Sequence, residues 1–317
     1  MGQKAAFDRR AIPAHAIESR WLAPDGQAIR RIDFPAPDSE SRGSLLFLPG
    51  RGDAYEKYLE TLDHWHSHGW HVTALDWRGQ AGSGRLGADA VTGHVDDFGP
   101  WVDDLAAFWR EWAAALPGPH GLIGHSMGGH LVLRAVADEL VRPCALVLSA
   151  PMLGVLPRWL PNPAKRLVAR LMCRIGDPRR PAWKWSEKPG ELPEGRAALL
   201  THDAQRYADE VWWRAQRSEL VMGPASWGWV AAGIDSMIAL DRPGVLEKLD
   251  LPVLLLSVRG DALVSPRAIE RAAARLPHGE LVTFGPEAYH EVLREADPVR
   301  DKALATIDDF LDRTLVT

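Results

Sequence analysis

The 317-residue chain is poor in cysteine, with Cys144 and Cys173 alone. Two thiols so placed have neither metal-ligand spacing nor the density of a disulfide framework, so both read as reduced. The chain also lacks a basic excess. A net charge of −5 argues against a nucleic-acid partner. Long apolar runs are absent too: the longest, from Cys144 to Pro157, falls short of the roughly 20 residues that cross a bilayer. The opening MGQKAAFDRR has no apolar segment and no small-residue cleavage site, and Ala6 stands where an acylation signal would want Ser or Thr. No internal repeat or low-complexity tract is present. The expectation is a cytoplasmic, unsecreted protein without a membrane span, a metal or a cofactor.

What the chain does have is core material. Apolar residues make up 46% and charged residues 25%, enough to build one large soluble core. Apolar runs at 44–50, 70–77, 121–126, 144–151, 251–258 and 281–285 read as strands, and Asp25-Gly26 reads as a hairpin turn. Helical patterns fall between them. In the clearest, Trp101, Leu105, Phe108, Trp109 and Trp112 share one face. A closing helix is expected from about Pro298 to Leu315. Strands alternating with amphipathic helices predict an α/β fold with a mostly parallel sheet and helices on both faces. The rhythm breaks at residues 152–240, which are rich in Pro, Trp and Arg. They are expected to form a helical cap inserted into a catalytic domain made of residues 1–151 and 241–317.

The chemistry is concentrated at GLIGHSMGGH. Gly124-His125-Ser126-Met127-Gly128 is G-x-S-x-G, directly after a strand and before a helix. A nucleophile elbow requires this context: the turn is sharp, its flanks must be small, and the serine hydroxyl stands above the sheet edge. The Met127 N–H, at the helix start, can stabilise an oxyanion. Serine needs a base and an orienting acid. In the order Ser, acid, His, Asp261 follows one late strand and His290 follows the next, so all three reach the same sheet edge. His290 is the candidate base and Asp261 the acid that fixes its tautomer. His125 and His130 do not fit that order, and Asp235, Asp241 and Asp250 precede the strand instead of following it.

The tripeptide RGD occurs twice, in LPGRGDAYEKY and in SVRGDALVS. The second contains Asp261. The first is the loop expected to supply the other oxyanion donor, the N–H of Arg51, with Gly50 permitting close backbone approach. The Arg51 guanidinium also suits phosphate. Neither tripeptide therefore reads as an adhesion signal.

Residues 157–185 carry eight Lys or Arg against one acid, Asp177. Asn162 and Pro163 can start a helix there. Leu167, Val168, Leu171, Met172 and Ile175 would line one face, with Lys165, Arg166, Arg170 and Arg174 mainly on the others. Flanked by Trp159, Trp183 and Trp185, this reads either as an element that touches an anionic membrane surface, or as a cap helix with its apolar face inward and its charges in water. Trp212, Trp213, Trp227 and Trp229 would line a pocket or pack the cap.

The stretches PGRGDAYEKY, DWRGQAGSGRLGAD, GHVDDFGPWVDDLAAFW, GHSMGG, LTHDAQRY and AYHEVLRE, in this order, resemble the serine-hydrolase group of monoglyceride lipases and lysophospholipases. The likeness covers most of residues 20–315 and is strongest to the larger, membrane-associated bacterial lysophospholipases. Monoglyceride lipases usually begin the oxyanion loop with His-Gly, and Pro49-Gly50 here favours the bacterial branch. The resemblance implies an α/β-hydrolase fold with a helical cap and hydrolysis of the single acyl ester of a lysophospholipid. By position it implies Ser126 as nucleophile, His290 as base, and Arg51 and Met127 as oxyanion donors. A monoacylglycerol lipase or small-ester carboxylesterase is the neighbouring alternative. A catalytically silent ligand-binding or interaction module is the alternative of another class. Ser126 excludes the dehalogenases and epoxide hydrolases, which need Asp at the elbow.

Overall fold

The computed structural model describes residues 7–36, 41–157, 159–184 and 194–315; Arg158 and Trp185 of the basic segment lie outside them. Eight strands form one sheet: β1 (Ile17–Leu22), β2 (Ala28–Phe34), β3 (Ser44–Leu48), β4 (His71–Leu75), β5 (His120–His125), β6 (Ala145–Ser149), β7 (Val253–Val258) and β8 (Gly279–Phe284). Their order across the sheet is β1-β2-β4-β3-β5-β6-β7-β8. β1 and β2 are an antiparallel hairpin whose turn holds Gly26 at φ +84°, β2 is antiparallel to β4, and every later pairing is parallel.

The central strands are continuous apolar runs because both of their faces are covered. Side chains alternate between two cores. Leu46, Leu122, Leu146, Leu148 and Leu255 pack with α2 (Gly99–Ala115) and α3 (Met127–Ala137). Leu45, Phe47, Ile123, Val147 and Leu254 face the other way, toward α1 (Leu59–Ser67) and α9 (Asp297–Leu315). The five aromatic and aliphatic residues expected on one face of α2, from Trp101 to Trp112, are all buried. This is the α/β-hydrolase fold.

Between β6 and β7 lie α4 (Asn162–Arg174), α5 (Glu194–Leu200), α6 (Ala204–Gln216) and α7 (Trp227–Leu240); α8 (Pro266–Arg275) follows β7. Among the described residues of 152–240 there is no strand, only single bridges at Val155, at Ala225 and between Pro181 and Ser226. α7 joins the α2/α3 core through Ala232, Ile234, Met237 and Leu240. α6 is bound to the opposite side. Arg206 pairs with Glu60 of α1 at 2.9 Å and with Asp297 of α9 at 2.6 Å, and Asp209 receives Arg9 and Arg10 at 2.7 and 2.6 Å.

α4 does not turn its apolar face inward, as a cap helix packed on that face would. Much of its apolar face is turned to solvent: Leu167 is 71% and Ile175 66% exposed, and Leu171 is exposed too. The basic side makes the contact with α7 instead. Arg166 and Arg170 both bind Asp235 of α7, at 2.5 and 2.9 Å, and the buried Lys165 amine donates to the Val155 carbonyl. Arg174 is exposed. The reason is local. α7 offers α4 a carboxylate that cations can reach, so the charged face takes the contact.

Candidate active site

The turn from β5 into α3 is as tight as the motif demands. Ser126 has φ 52° and ψ −116°, a backbone state that costs a non-glycine residue about 1–3 kcal/mol. Its neighbours hold it there. Its N–H donates to the Ser149 carbonyl at 2.9 Å, and its own carbonyl accepts from Met152 at 2.9 Å. The flanks must be glycine: a Cβ on Gly124 would lie 2.8 Å from the Gly128 backbone, and one on Gly128 would lie 2.4 Å from the carbonyl oxygens of Leu48 and Pro49.

Ser126 Oγ lies 2.9 Å from His290 Nε2, and His290 Nδ1 lies 2.7 Å from Asp261 Oδ2. The second Asp261 oxygen accepts the N–H groups of Leu263 and Val264 at 2.7 and 2.9 Å, so the turn after β7 fixes the carboxylate. Asp261 and His290 are buried. Burial disfavours the imidazolium, but the Asp261 carboxylate, with Glu291 and Asp53 behind it, outweighs this and raises the His290 pKa above its ordinary 6.5. The other acids and histidines are occupied elsewhere. Asp235 holds α4, Asp241 pairs with Arg275, Asp250 with His278, and His130 with Ser236.

The loop after β3 closes on the same point. A Cβ on Gly50 would come within 3.1 Å of the Ser126 Cβ. Asp53 is buried and pins the loop: its Oδ2 accepts the Gly50 N–H at 3.1 Å and the Tyr58 hydroxyl at 3.0 Å. Gly52, at φ +70°, donates its N–H to Gln80 at 2.7 Å. The Arg51 side chain turns away toward the insertion, donating to the Gly223 carbonyl at 2.7 Å, with Trp183 and Trp229 5.7 and 5.4 Å from its guanidinium carbon. Met127 opens α3, where the first N–H groups have no intrahelical acceptor. Both RGD aspartates are interior, so neither tripeptide is displayed.

Residues 39–297 match the family model described as serine aminopeptidase, S33. The chain belongs to this family. It is similar to lysophospholipase L2 of Escherichia coli, 31% identical over 309 residues that cover 93% of this chain and 87% of the relative. It is also similar to a probable lysophospholipase L2 of Haemophilus influenzae, 27% identical over 87% of this chain and 86% of the relative. Among solved structures, a soluble variant of monoglyceride lipase from Saccharomyces cerevisiae superposes with a TM-score of 0.74 at 19% identity, covering 97% of each chain.

A cavity of about 990 Å³ opens over Ser126 in this S33-family fold. Met152, Leu160, Ala169, Ile234 and Met237 make one side apolar, while Arg51, Lys165 and Arg196 supply cations. Trp227 and Trp229 line it; Trp212 and Trp213 instead pack by α1 and the N-terminal arginines.

Beneath the cavity lies a set of buried charges that sequence reading missed. Lys57 Nζ contacts Asp53 at 2.5 Å, Glu291 at 2.6 Å and Glu210 of α6 at 3.1 Å. Arg294 binds Glu210 at 3.0 Å and also Glu291. The spacings Asp53/Lys57 and Glu291/Arg294 suit helical pairing and were the available signal. Glu210, far along the chain, had none. Among the described residues, Asp53, His125 and Glu291 are close enough to share an ion, as are His64, His68 and Asp308. The Lys57 ammonium already neutralises the first group, and burial, then the His290 charge, lowers the His125 pKa to about 4.

Proposed function

We propose that this S33-family protein is a serine ester hydrolase that releases the fatty acid from lysophospholipids. The observation that carries the reading is the Ser126–His290–Asp261 chain of contacts opening directly into a large, one-sidedly apolar cavity. The names of its lysophospholipase relatives support the substrate class.

In this reading Ser126 Oγ attacks the ester carbonyl as His290 Nε2 takes its proton. The tetrahedral oxyanion accepts from the Arg51 and Met127 N–H groups. His290 returns the proton to the leaving glycerophosphoalcohol oxygen. A water then gives its proton to His290 as it attacks the acyl-serine, and His290 passes that proton to Ser126 Oγ as the acid leaves. Asp261 keeps the imidazole in register. Residues 1–151 and 241–317 act as the catalytic domain, and 152–240 as the cap that sets substrate choice.

The cap also meets the lipid surface. Leu167, Leu171, Ile175 and the 81%-exposed Trp159 stand in water, and their neighbours Leu160, Val168 and Trp183 line the cavity. A membrane-resident single-chain lipid could pass from one to the other. Apolar insertion carries this contact, because Lys165 is buried against the Val155 carbonyl and Arg166 and Arg170 are paired with Asp235.

A second reading, a monoacylglycerol lipase, is favoured by the Arg51 guanidinium, which binds Gly223 instead of pointing at Ser126. The deciding measurement is fatty-acid release from lysophosphatidylethanolamine and from monoacylglycerol of the same chain, with Ser126→Ala as control. Preference for the phospholipid, lost in the variant, is expected. Preference for the glyceride establishes the second reading. Absence of Ser126-dependent release, together with failure of a fluorophosphonate to label Ser126, would leave a silent binding module.

A further inference from the structure

The segment LTHDAQRY, residues 200–207, has no part in the chemistry above, yet it is bonded to the loop that carries His290. α5 lines the cavity through Arg196, Leu199 and Leu200. Where it ends, the backbone lies against the base. The His290 N–H donates to the Leu199 carbonyl at 3.3 Å, and the Glu291 N–H to the Leu200 carbonyl at 2.8 Å. The Thr201 hydroxyl donates to the Arg294 carbonyl at 2.8 Å.

Glu295 closes the arrangement. Its carboxylate is fully buried. One oxygen accepts the N–H of Tyr289, the residue before His290, at 2.7 Å and lies 3.0 Å from His202 Nδ1. The other accepts the N–H groups of His202 at 3.0 Å and Ala296 at 3.1 Å. The His202 ring stacks on Tyr289 at 3.7 Å and 16°. A buried carboxylate binding three N–H groups and an imidazole is a rigid anchor, because each bond lost would leave a desolvated charge short of a partner.

We propose that Glu295 is a positioning residue for His290, and that His202, from the insertion, completes it. The base is then held from two sides: Asp261 orients the ring, and the Glu295–His202 clasp fixes the backbone that carries it. The inference rests on the reading of His290 as the base.

The test uses the full-length protein and a soluble p-nitrophenyl ester, with variants Glu295→Gln, His202→Phe and His290→Ala. His202→Phe keeps a ring over Tyr289 but removes the bond from that ring to Glu295, and its exposed site makes folding safe should Glu295→Gln not fold. Both clasp variants should lose about tenfold to a hundredfold in kcat with KM within about twofold, since displacement of a reacting group by about 1 Å has effects of this size. The acidic limb of kcat/KM should also move. The titratable groups that face His290 include Asp261, Glu291, Asp53 and His125. Glu295 and His202 make no bond to the His290 ring, and His202→Phe removes no carboxylate, so a limb that moves in that variant reports a shift of the ring against Asp261. A lower melting temperature with kcat and limb unchanged overturns the proposal. His290→Ala separates the two layers. If it retains activity, the base reading fails and the clasp with it; if it is inactive while His202→Phe is fully active, the clasp alone fails.

Discussion

Helices α4 and α6 belong to the same insertion, and both mix cations with apolar side chains, yet they are seated in opposite ways. α6 buries Arg206, Tyr207, Asp209, Glu210 and Trp213. α4 buries only Lys165 and Ala169. The difference lies in what faces them. α6 meets Glu60, Asp297, Lys57 and Arg294 below and Arg9 and Arg10 beside it. α4 meets Asp235 of α7. An amphipathic pattern defines two faces of a helix. Which face goes inward is decided by the charges already present on the neighbour. Here that leaves one half of the insertion clamped by ion pairs and the other half apolar and wet.

The contrast can be broken experimentally, beginning with chemistry, which belongs to the clamped side. Asp261→Asn should reduce kcat roughly ten-thousandfold. As the proposed base, His290 would work only when neutral, so activity should rise with pH as its proton leaves. Its raised pKa sets that rise above pH 6.5, and removing the Asp261 charge should move it to lower pH. A pH–rate profile reads both effects, and α4 substitutions should move neither.

Stability separates the helices next. Glu210→Ala strips a carboxylate from Lys57 and Arg294, and should cost about 3–5 kcal/mol in urea unfolding. On α4, Leu167→Ser, Leu171→Ser and Ile175→Ser together should leave stability within about 0.5 kcal/mol. Their effect appears on lipid: partition into phospholipid vesicles should fall at least about tenfold, with hydrolysis of a soluble ester intact. Unchanged partition would mean that this face meets something other than a membrane. The smallest effect is expected of Asp235→Ala. Its ion pairs are a third or more exposed, so about 0–1 kcal/mol should be lost. A loss equal to that of Glu210→Ala would erase the distinction between the helices.

Much of this architecture was legible in the chain. The six strands β3 to β8 announce themselves as apolar runs, the first hairpin by its Asp25-Gly26 turn, the α2 face by its spacing, and the elbow by glycines whose Cβ atoms have no room. Ser126, Asp261 and His290 could be brought to one edge because strand order and chain order together determine it. The seating of α4 could not be read, since Asp235 meets Arg166 and Arg170 only after α7 folds across them. The charges under the site were half visible: Lys57 has Asp53 and Arg294 has Glu291 at helical spacing, whereas Glu210 is distant in sequence from both cations it binds. Local patterns are written locally, whereas burial of a charge depends on partners that only the complete fold supplies.

The left-handed backbone of Ser126 carries one more implication. Serine is a poor occupant of φ 52°, ψ −116°, and glycine a comfortable one. Ser126→Gly should therefore unfold at a higher temperature than the parent, by a stabilisation on the order of 1 kcal/mol. The proposed nucleophile lowers the durability of the molecule that displays it. A variant relieved of that tension would be inert but tougher, a scaffold in which an intact lipid ester could be captured and observed uncleaved.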